Sequence, residues 1–351
     1  ITFTNLINRF GSAGAALEAL PDLAQRGGRK NPLIAPPIDQ IEREYAALTK
    51  FGGGIITTRC AAYPQLLKQC EDAPPVLAYI GNIDLLNKNC IAVVGARNAS
   101  LNGRKITEKL ARDLGERGCS IVSGLARGID TAAHNGSIST GTIAVVAGGI
   151  DVIYPQENTA LYNQIRENGL ILAESPFGTS PQARHFPKRN RIVSGISRAC
   201  IVVEATFRSG SLITARLAGE QGREVMAIPG SPLDPRSQGP NHLIREGATL
   251  IRSAEDVMET LLNFTGRGMR EPIYTPPSYA MPLTAPLELD DDTITSDAQN
   301  IVLNNLSHSP VHVDELIRAC DMGIPVLQTI LLELELAGRI KYAPGNKVSL
   351  I

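Results

Sequence analysis

The chain has 351 residues, 43% hydrophobic and 20% charged, with 34 Lys and Arg against 35 Asp and Glu for a net charge of −1. At roughly 100 to 200 residues per domain this predicts two or three globular domains and excludes wholesale disorder or a fibrous repeat. A near-neutral chain does not coat nucleic acid by bulk charge, so any such contact must come from a local basic strip.

Residues 4–26 carry apolar positions at helical spacing (Leu6, Ile7, Phe10, then Ala15, Ala16, Leu17, Leu20), broken at Gly11, and predict two short helices. Ile38 to Phe51 predicts another, with Ile41, Tyr45 and Leu48 on one face and Gly52 to Gly54 as its stop. Residues 1–84 are therefore expected to form a small, mainly helical unit with a connecting segment. From residue 85 to 265 short β-rich apolar runs alternate with helical segments: IAVV at 91, SIVS at 120, TIAVVA at 142, LILAE at 170, CIVVEA at 200 and EVMAIP at 224. The intervening stretches, such as Ile106 to Arg117 and Leu212 to Gln221, suit right-handed helical crossovers. The prediction is an α/β, Rossmann-like, doubly wound and mostly parallel sheet.

Residues 266–296 hold five prolines and the run Asp290, Asp291, Asp292, and predict a flexible linker. Residues 297–351 read as helix, short strand, helix, helix and a terminal hairpin across Pro344, Gly345 and Asn346, the order of a winged helix-turn-helix.

Six cysteines, at 60, 70, 90, 119, 200 and 320, form no Cys-x-x-Cys pair and have no histidine at zinc-finger spacing. They predict small buried hydrophobes, with no metal site and no cofactor. No signal-peptide core and no run of about 18 apolar residues occurs, which points away from a membrane and toward a reducing cytoplasm. The chain opens on Ile1 rather than methionine and enters a helical pattern at once, so further residues are expected upstream.

Chemistry is expected at the carboxyl ends of the strands, where backbone amides and helix N-termini bind anions. After the first strand comes Gly95-Ala96-Arg97-Asn98-Ala99-Ser100. After the second comes Ser123-Gly124-Leu125-Ala126-Arg127-Gly128-Ile129-Asp130, and after the fifth Arg208-Ser209-Gly210-Ser211. Glycines admit a phosphate close to the main chain, hydroxyls and amides donate to it, and arginine adds a charged fork. A single such loop is as readily a plain turn; three at one edge are a phosphate site. Neither G-x-G-x-x-G after the first strand nor G-x-x-x-x-G-K-[ST] occurs, so a dinucleotide or P-loop site is not supported.

Ser175 to Val203 contains no Asp or Glu but carries Arg184, His185, Lys188, Arg189, Arg191 and Arg198. Its centre, HFPKRNR from His185 to Arg191, sets the Phe186 ring beside three cations, the combination with which single-strand binders track a backbone and stack a base. The plainer alternative is a solvated loop with Phe186 anchored in the core.

IAVVGARNAS at 91, IVSGLARGID at 121, FPKRNRIVSGIS at 186, VVEATFRSGSLITARLAGEQGREVMAIPGS at 202 and NHLIREGATL at 241 together resemble the DprA (DNA-processing protein A, Smf) family, a likeness covering most of 60–252. It implies a sterile-alpha-motif-like N-terminal domain and a winged-helix C-terminal domain. It also implies a protein without catalytic turnover that binds single-stranded DNA, forms homodimers and helps load the recombinase RecA, notably during natural transformation. The family's DNA pocket would fall on Arg97, Ser123, Gly124, Arg127, Phe186, Lys188, Arg189, Asn190 and Arg191, with Ser209, Gly210 and Ser211 as its floor. Gly95, Ser100 and Gly128 join the site from the loop reading.

Two alternatives stand beside it. The fold also resembles lysine-decarboxylase-like phosphoribohydrolases, but the loop FRSGSLITAR at 207 lacks the carboxylate of their P-G-G-x-G-T-x-x-E motif, leaving a cationic ribosyl transition state without support. His134 and Asp130, at i,i+4, would be the base and its orienting carboxylate, or simply steady a helix. Alternatively the winged helix reads DNA, yet the tail from 297 has four basic against six acidic residues, which repels phosphate and favours a protein-contact or regulatory role.

Overall fold

The computed structural model describes residues 6–7, 9–26, 35–266, 298–336, 339–343 and 346–351. The expected linker lies, from 267 on, outside the described residues. Gly11 sits at φ 77° between the two N-terminal helical stretches, as the sequence predicts. The second stretch is α1 (Ala13–Arg26), and α2 (Ile38–Lys50) follows.

The next segment departs from the expected helical unit. Strands β1 (Gly54–Thr57) and β2 (Val76–Gly81) pair antiparallel, and β2 then pairs antiparallel with the main sheet. The glycine run and the prolines around these strands hid them, because short edge strands carry little periodicity.

The six predicted runs appear as β3 (Asn89–Val94), β4 (Cys119–Ser123), β5 (Thr142–Val146), β6 (Leu170–Ala173), β7 (Ala199–Val202) and β8 (Glu224–Ala227), all parallel, with β9 (Thr249–Leu250) as an added edge. The sheet order is β1-β2-β6-β5-β4-β3-β7-β8-β9. The chain winds outward from β3 to β6 and returns to the other side of β3 with β7, so the topological switch lies between β3 and β7.

The crossovers are α3 (Leu101–Glu116), α4 (Ile129–Ser137), α5 (Thr159–Asn168), α6 (His185–Gly195), α7 (Gly210–Glu220) and α8 (Gln238–Arg245), and α9 (Ala254–Gly266) follows the last strand. They cover both faces, which is why the central strands read as unbroken apolar runs rather than alternations. Ile91, Val93, Ile121 and Ile201 pack on one face with Leu110, Leu114 and Ala133, whereas Ala92, Val94, Val122 and Val202 pack on the other with Ile192, Ile196 and Ala215. The centre of the basic strip, for which a solvated loop was the plainer alternative, lies on the helix α6; Phe186, Ile192 and Val193 on it are buried.

The tail folds as predicted: α10 (Ala298–Asn305), β10 (Val311–His312), α11 (Val313–Cys320), α12 (Ile324–Leu336), β11 (Ile340–Ala343) and β12 (Lys347–Leu350), in sheet order β10-β12-β11 around a core of Val302, Leu316, Leu327, Leu331 and Val348. Pro344 and Gly345 of the expected turn lie outside the described residues. This unit rests on the α/β domain through polar contacts. Lys105 pairs with Glu315 at 2.5 Å, Arg104 donates to Asn305, Asn102 donates to the Ser309 carbonyl at 3.2 Å, and Arg236 donates to the Asn304 carbonyl at 2.9 Å.

Among the described residues no helix is long and apolar enough to cross a membrane. Cys90, Cys119, Cys200 and Cys320 are buried as expected, but Cys60 is exposed, hydrogen-bonded to Thr57, and its thiol is held below the ordinary range by that bond.

Candidate nucleic-acid interface

Strands β4, β3 and β7 end side by side, so their following loops share one edge of the sheet. Two glycines fix how closely the first two loops approach. A Cβ at Gly128 would lie 2.3 Å from the carbonyl oxygens of Ala96 and Arg97, and its φ of 76° is left-handed. Ile129 N–H donates to the Ala96 carbonyl at 3.1 Å across that contact. A Cβ at Gly95 would lie 2.6 Å from Ile129 Cγ1, which closes the same joint from the other side.

The second loop is braced from beneath. The Asp130 carboxylate accepts from the amides of Gly124 at 3.0 Å and Ala126 at 3.3 Å. Asn158, which the sequence reading did not single out, donates to the Leu125 carbonyl at 2.9 Å and exchanges a hydrogen bond with Thr131. Its signal was weak, since a lone Asn before a helix is ordinary capping chemistry. Leu125 holds a φ of 59° although fully buried, an uncommon conformation for a branched side chain that these braces maintain.

The structure divides the predicted cations into two groups. Arg189 is buried, and one Nη donates to the carbonyls of Gly124 and, at 2.8 Å, Val145. Burial pushes the Asp130 carboxyl up and the Arg189 guanidinium down, and each group's charge opposes the shift of the other. Gly124 is glycine because a Cβ there would lie 2.0 Å from that guanidinium. Arg191 is likewise internal: it pairs with Glu174 at 2.5 Å and Asp72 at 3.5 Å, strapping α6 to the segment before β2. Both were expected on the DNA surface; in the fold both guanidiniums are engaged by internal partners. Lys188, between them on the helix, is exposed. Arg97 and Arg127 are partly exposed, Arg127 lying 3.6 Å from Glu157.

Phe186 is only 9% exposed, with the Arg97 guanidinium 5.6 Å and the Arg189 guanidinium 5.9 Å from its centroid. Its ring serves as an apolar floor between two cations, nearer the anchored alternative than the stacking one. Asn190 joins this helix to the third loop through the Gly210 carbonyl at 3.4 Å and accepts from Arg189 at 3.1 Å.

Two predicted hydroxyls are occupied. Ser123 Oγ donates to the Val93 carbonyl at 2.7 Å and is fully buried. Ser100 caps α3, and its N–H and Oγ both meet the Glu204 carboxylate, at 2.8 and 2.6 Å. The anion position at that helix N-terminus is thus filled by the protein's own carboxylate. Glu204 also supplies the sheet-edge acid that the loop after residue 207 lacks, but with both oxygens engaged. In the third loop Ser209 and Gly210 are partly exposed, whereas Ser211 is buried and bonded to Ser209 at 2.7 Å.

The proposed acid–base pair is not assembled. His134 is fully buried with Nδ1 on Thr142 Oγ1 at 2.7 Å, and burial, then Arg189, pushes its pKa down to about 3. Asp130 spends its acceptor capacity on loop amides instead.

Residues 54–262 match the model of DNA recombination-mediator protein A, 284–346 the DprA winged helix domain, and 1–47 the DprA-like N-terminal HHH domain. The chain is 46% identical to DNA processing protein DprA of Streptococcus pneumoniae over 244 residues, covering 68% of this chain and 86% of the relative. It is 36% identical to protein Smf of Escherichia coli over 320 residues, covering 90% and 82%. The X-ray structure of DprA from S. pneumoniae superposes with a TM-score of 0.62 at 42% identity, covering 68% of this chain and 86% of that one. A structure of DNA processing protein A from Helicobacter pylori, described for its single-stranded DNA binding mode, superposes with a TM-score of 0.56 at 30% identity, covering 60% and 96%. The family model alone spans more than half of the residues, and the chain belongs to the DNA recombination-mediator protein A (DprA) family.

Proposed function

We propose that this protein binds single-stranded DNA along the carboxyl edge of its sheet and passes it to a RecA-type recombinase, acting in the cytoplasm as a homodimer and without catalytic turnover. The observation that carries the reading is the convergence of three glycine loops beside Arg97, Arg127 and Lys188, cations with solvent-facing surface at the topological switch of the sheet. The contact surface is Gly95, Arg97, Arg127, Gly128, Lys188, Ser209 and Gly210. Beneath it Ser100, Ser123, Gly124, Phe186, Arg189, Asn190, Arg191 and Ser211 hold the loops in place. The single-strand binding described for the H. pylori relative supports the choice of ligand. Buried, separately partnered Asp130 and His134 support a binding role over nucleotide hydrolysis. The recombinase and dimer roles rest on the family resemblance.

Charge reversal tests the site. Lys188→Glu or Arg97→Glu is expected to weaken binding equally for oligonucleotides of different sequence, because phosphates carry no sequence information. Each lost phosphate contact should reduce the slope of log affinity against log salt by about 0.7. Unchanged affinity and slope in both variants would remove the proposed groove. Recombinase filament growth on single strands, with and without this protein, tests the handover.

A further inference from the structure

The buried setting of Phe186 leaves the proposed groove without the aromatic ring the sequence offered it. Two other rings stand where a single strand would need them. Tyr154, in the loop after β5, is 39% exposed and packs its ring 5.8 Å from Phe186 at an interplanar angle of 60°. Phe207, in the loop after β7, is 49% exposed and is held edge-on by His242 at 5.6 Å. Only four described aromatics have large exposure, and the other two, Tyr45 and Tyr342, lie on α2 and β11.

We propose that Tyr154 and Phe207 are base-stacking platforms at the two ends of the single-strand track, a role that rests on the reading of this edge as a DNA groove. The sheet order sets their spacing: β5, β4, β3 and β7 are consecutive neighbours, so the two loops are three strand spacings apart. At about 4.8 Å per spacing that is roughly 14 Å, room for a short run of unpaired nucleotides. Between the rings lie the loops of Gly95 and Gly124 with Arg97 and Arg127, so cations would meet the backbone while an aromatic ring takes a base at either end. Each ring is anchored on a neighbouring ring, which restricts its rotation and lowers the entropy lost when a base stacks on it. Nothing in this arrangement distinguishes one base from another, so the track is sequence-tolerant.

The chain contains no tryptophan, which makes Tyr154→Trp a single-fluorophore reporter. Full-length protein is titrated with oligothymidylate and with an abasic oligomer of the same length and charge. Oligothymidylate should quench the Trp emission and the abasic oligomer should not. Tyr154→Ala and Phe207→Ala should each lower affinity for oligothymidylate by about 5- to 100-fold, the range expected for loss of one stacked base. Both should leave abasic binding unchanged, and Tyr154→Phe should behave as the parent. Equal losses on both oligomers, or none on either, together with an unquenched Trp, overturn the stacking role. If Lys188→Glu still weakens binding in that case, the groove stands without the platforms; if Lys188→Glu also has no effect, the groove reading falls as well.

Discussion

Arg189→Met is the substitution that most sharply separates a structural cation from a DNA contact. The variant keeps much of the side-chain length but leaves the Asp130 carboxylate buried without its cation, and the Val145 carbonyl without the donor at 2.8 Å. Leaving a buried charge without the opposite charge that offsets its desolvation costs about 3–5 kcal/mol. In a domain of this size each kcal/mol lowers Tm by about 2–4 °C, so the fall should be on the order of 6–20 °C. The loss has a definite pH dependence. Burial already raises the Asp130 carboxyl in the parent, and removing Arg189 raises it further, so the variant's folded state takes up a proton before the unfolded state does. The deficit is therefore full at neutral pH and shrinks as the solution is acidified. Asp130→Asn in the same chain should recover part of the lost stability, and chemical denaturation of parent, single and double variants gives the coupling. A variant of unchanged stability that loses single-strand affinity would refute this and return Arg189 to the binding surface.

Three further outcomes are expected. His134 is neutral in the fold down to about pH 3, whereas an unfolded histidine protonates near 6.5; the stability this confers is present above 6.5 and lost progressively toward 3, by about 2 kcal/mol between pH 7 and pH 5. His134→Gln should remove that part of the pH dependence in denaturant titrations, and an unaltered profile would contradict it. Glu204→Gln should cost about 1–2 kcal/mol by weakening charge-assisted bonds at the α3 N-terminus, while raising single-strand affinity at low salt because one negative charge leaves the phosphate edge. Deleting residues 297–351 should preserve most single-strand affinity in an anisotropy titration, and near-total loss would make the winged helix the principal reader.

The parallel sheet was legible because six buried strands must read as apolar runs when helices cover both faces. Strands β1 and β2 escaped because they join the sheet antiparallel at its edge, where a few residues among glycines and prolines carry no period. The convergence of the glycine loops was legible from their spacing and the switch-point rule, and Gly95 and Gly128 bring the first two loops into close contact. Which cations face outward was not legible. Lys188, Arg189 and Arg191 look alike in sequence, and only the fold turns two of them inward, Arg189 onto the Gly124 and Val145 carbonyls and Arg191 onto Glu174 and Asp72. The same holds for Glu204, whose partner Ser100 lies 104 residues away and leaves no local trace. Tyr154 was invisible for a related reason: a tyrosine before a proline reads as a turn until the loop after β5 is set beside Phe186.

The central claim is that the carboxyl edge of the sheet is a groove for a single strand. Its most direct test is equilibrium binding of the full chain to one labelled oligonucleotide, alone and annealed to its complement, across a series of salt concentrations. A single-strand groove gives tighter binding to the unpaired oligonucleotide, with a salt slope that Lys188→Glu reduces by about 0.7. Equal or tighter binding to the duplex, with a slope that Lys188→Glu leaves unaltered, would contradict it.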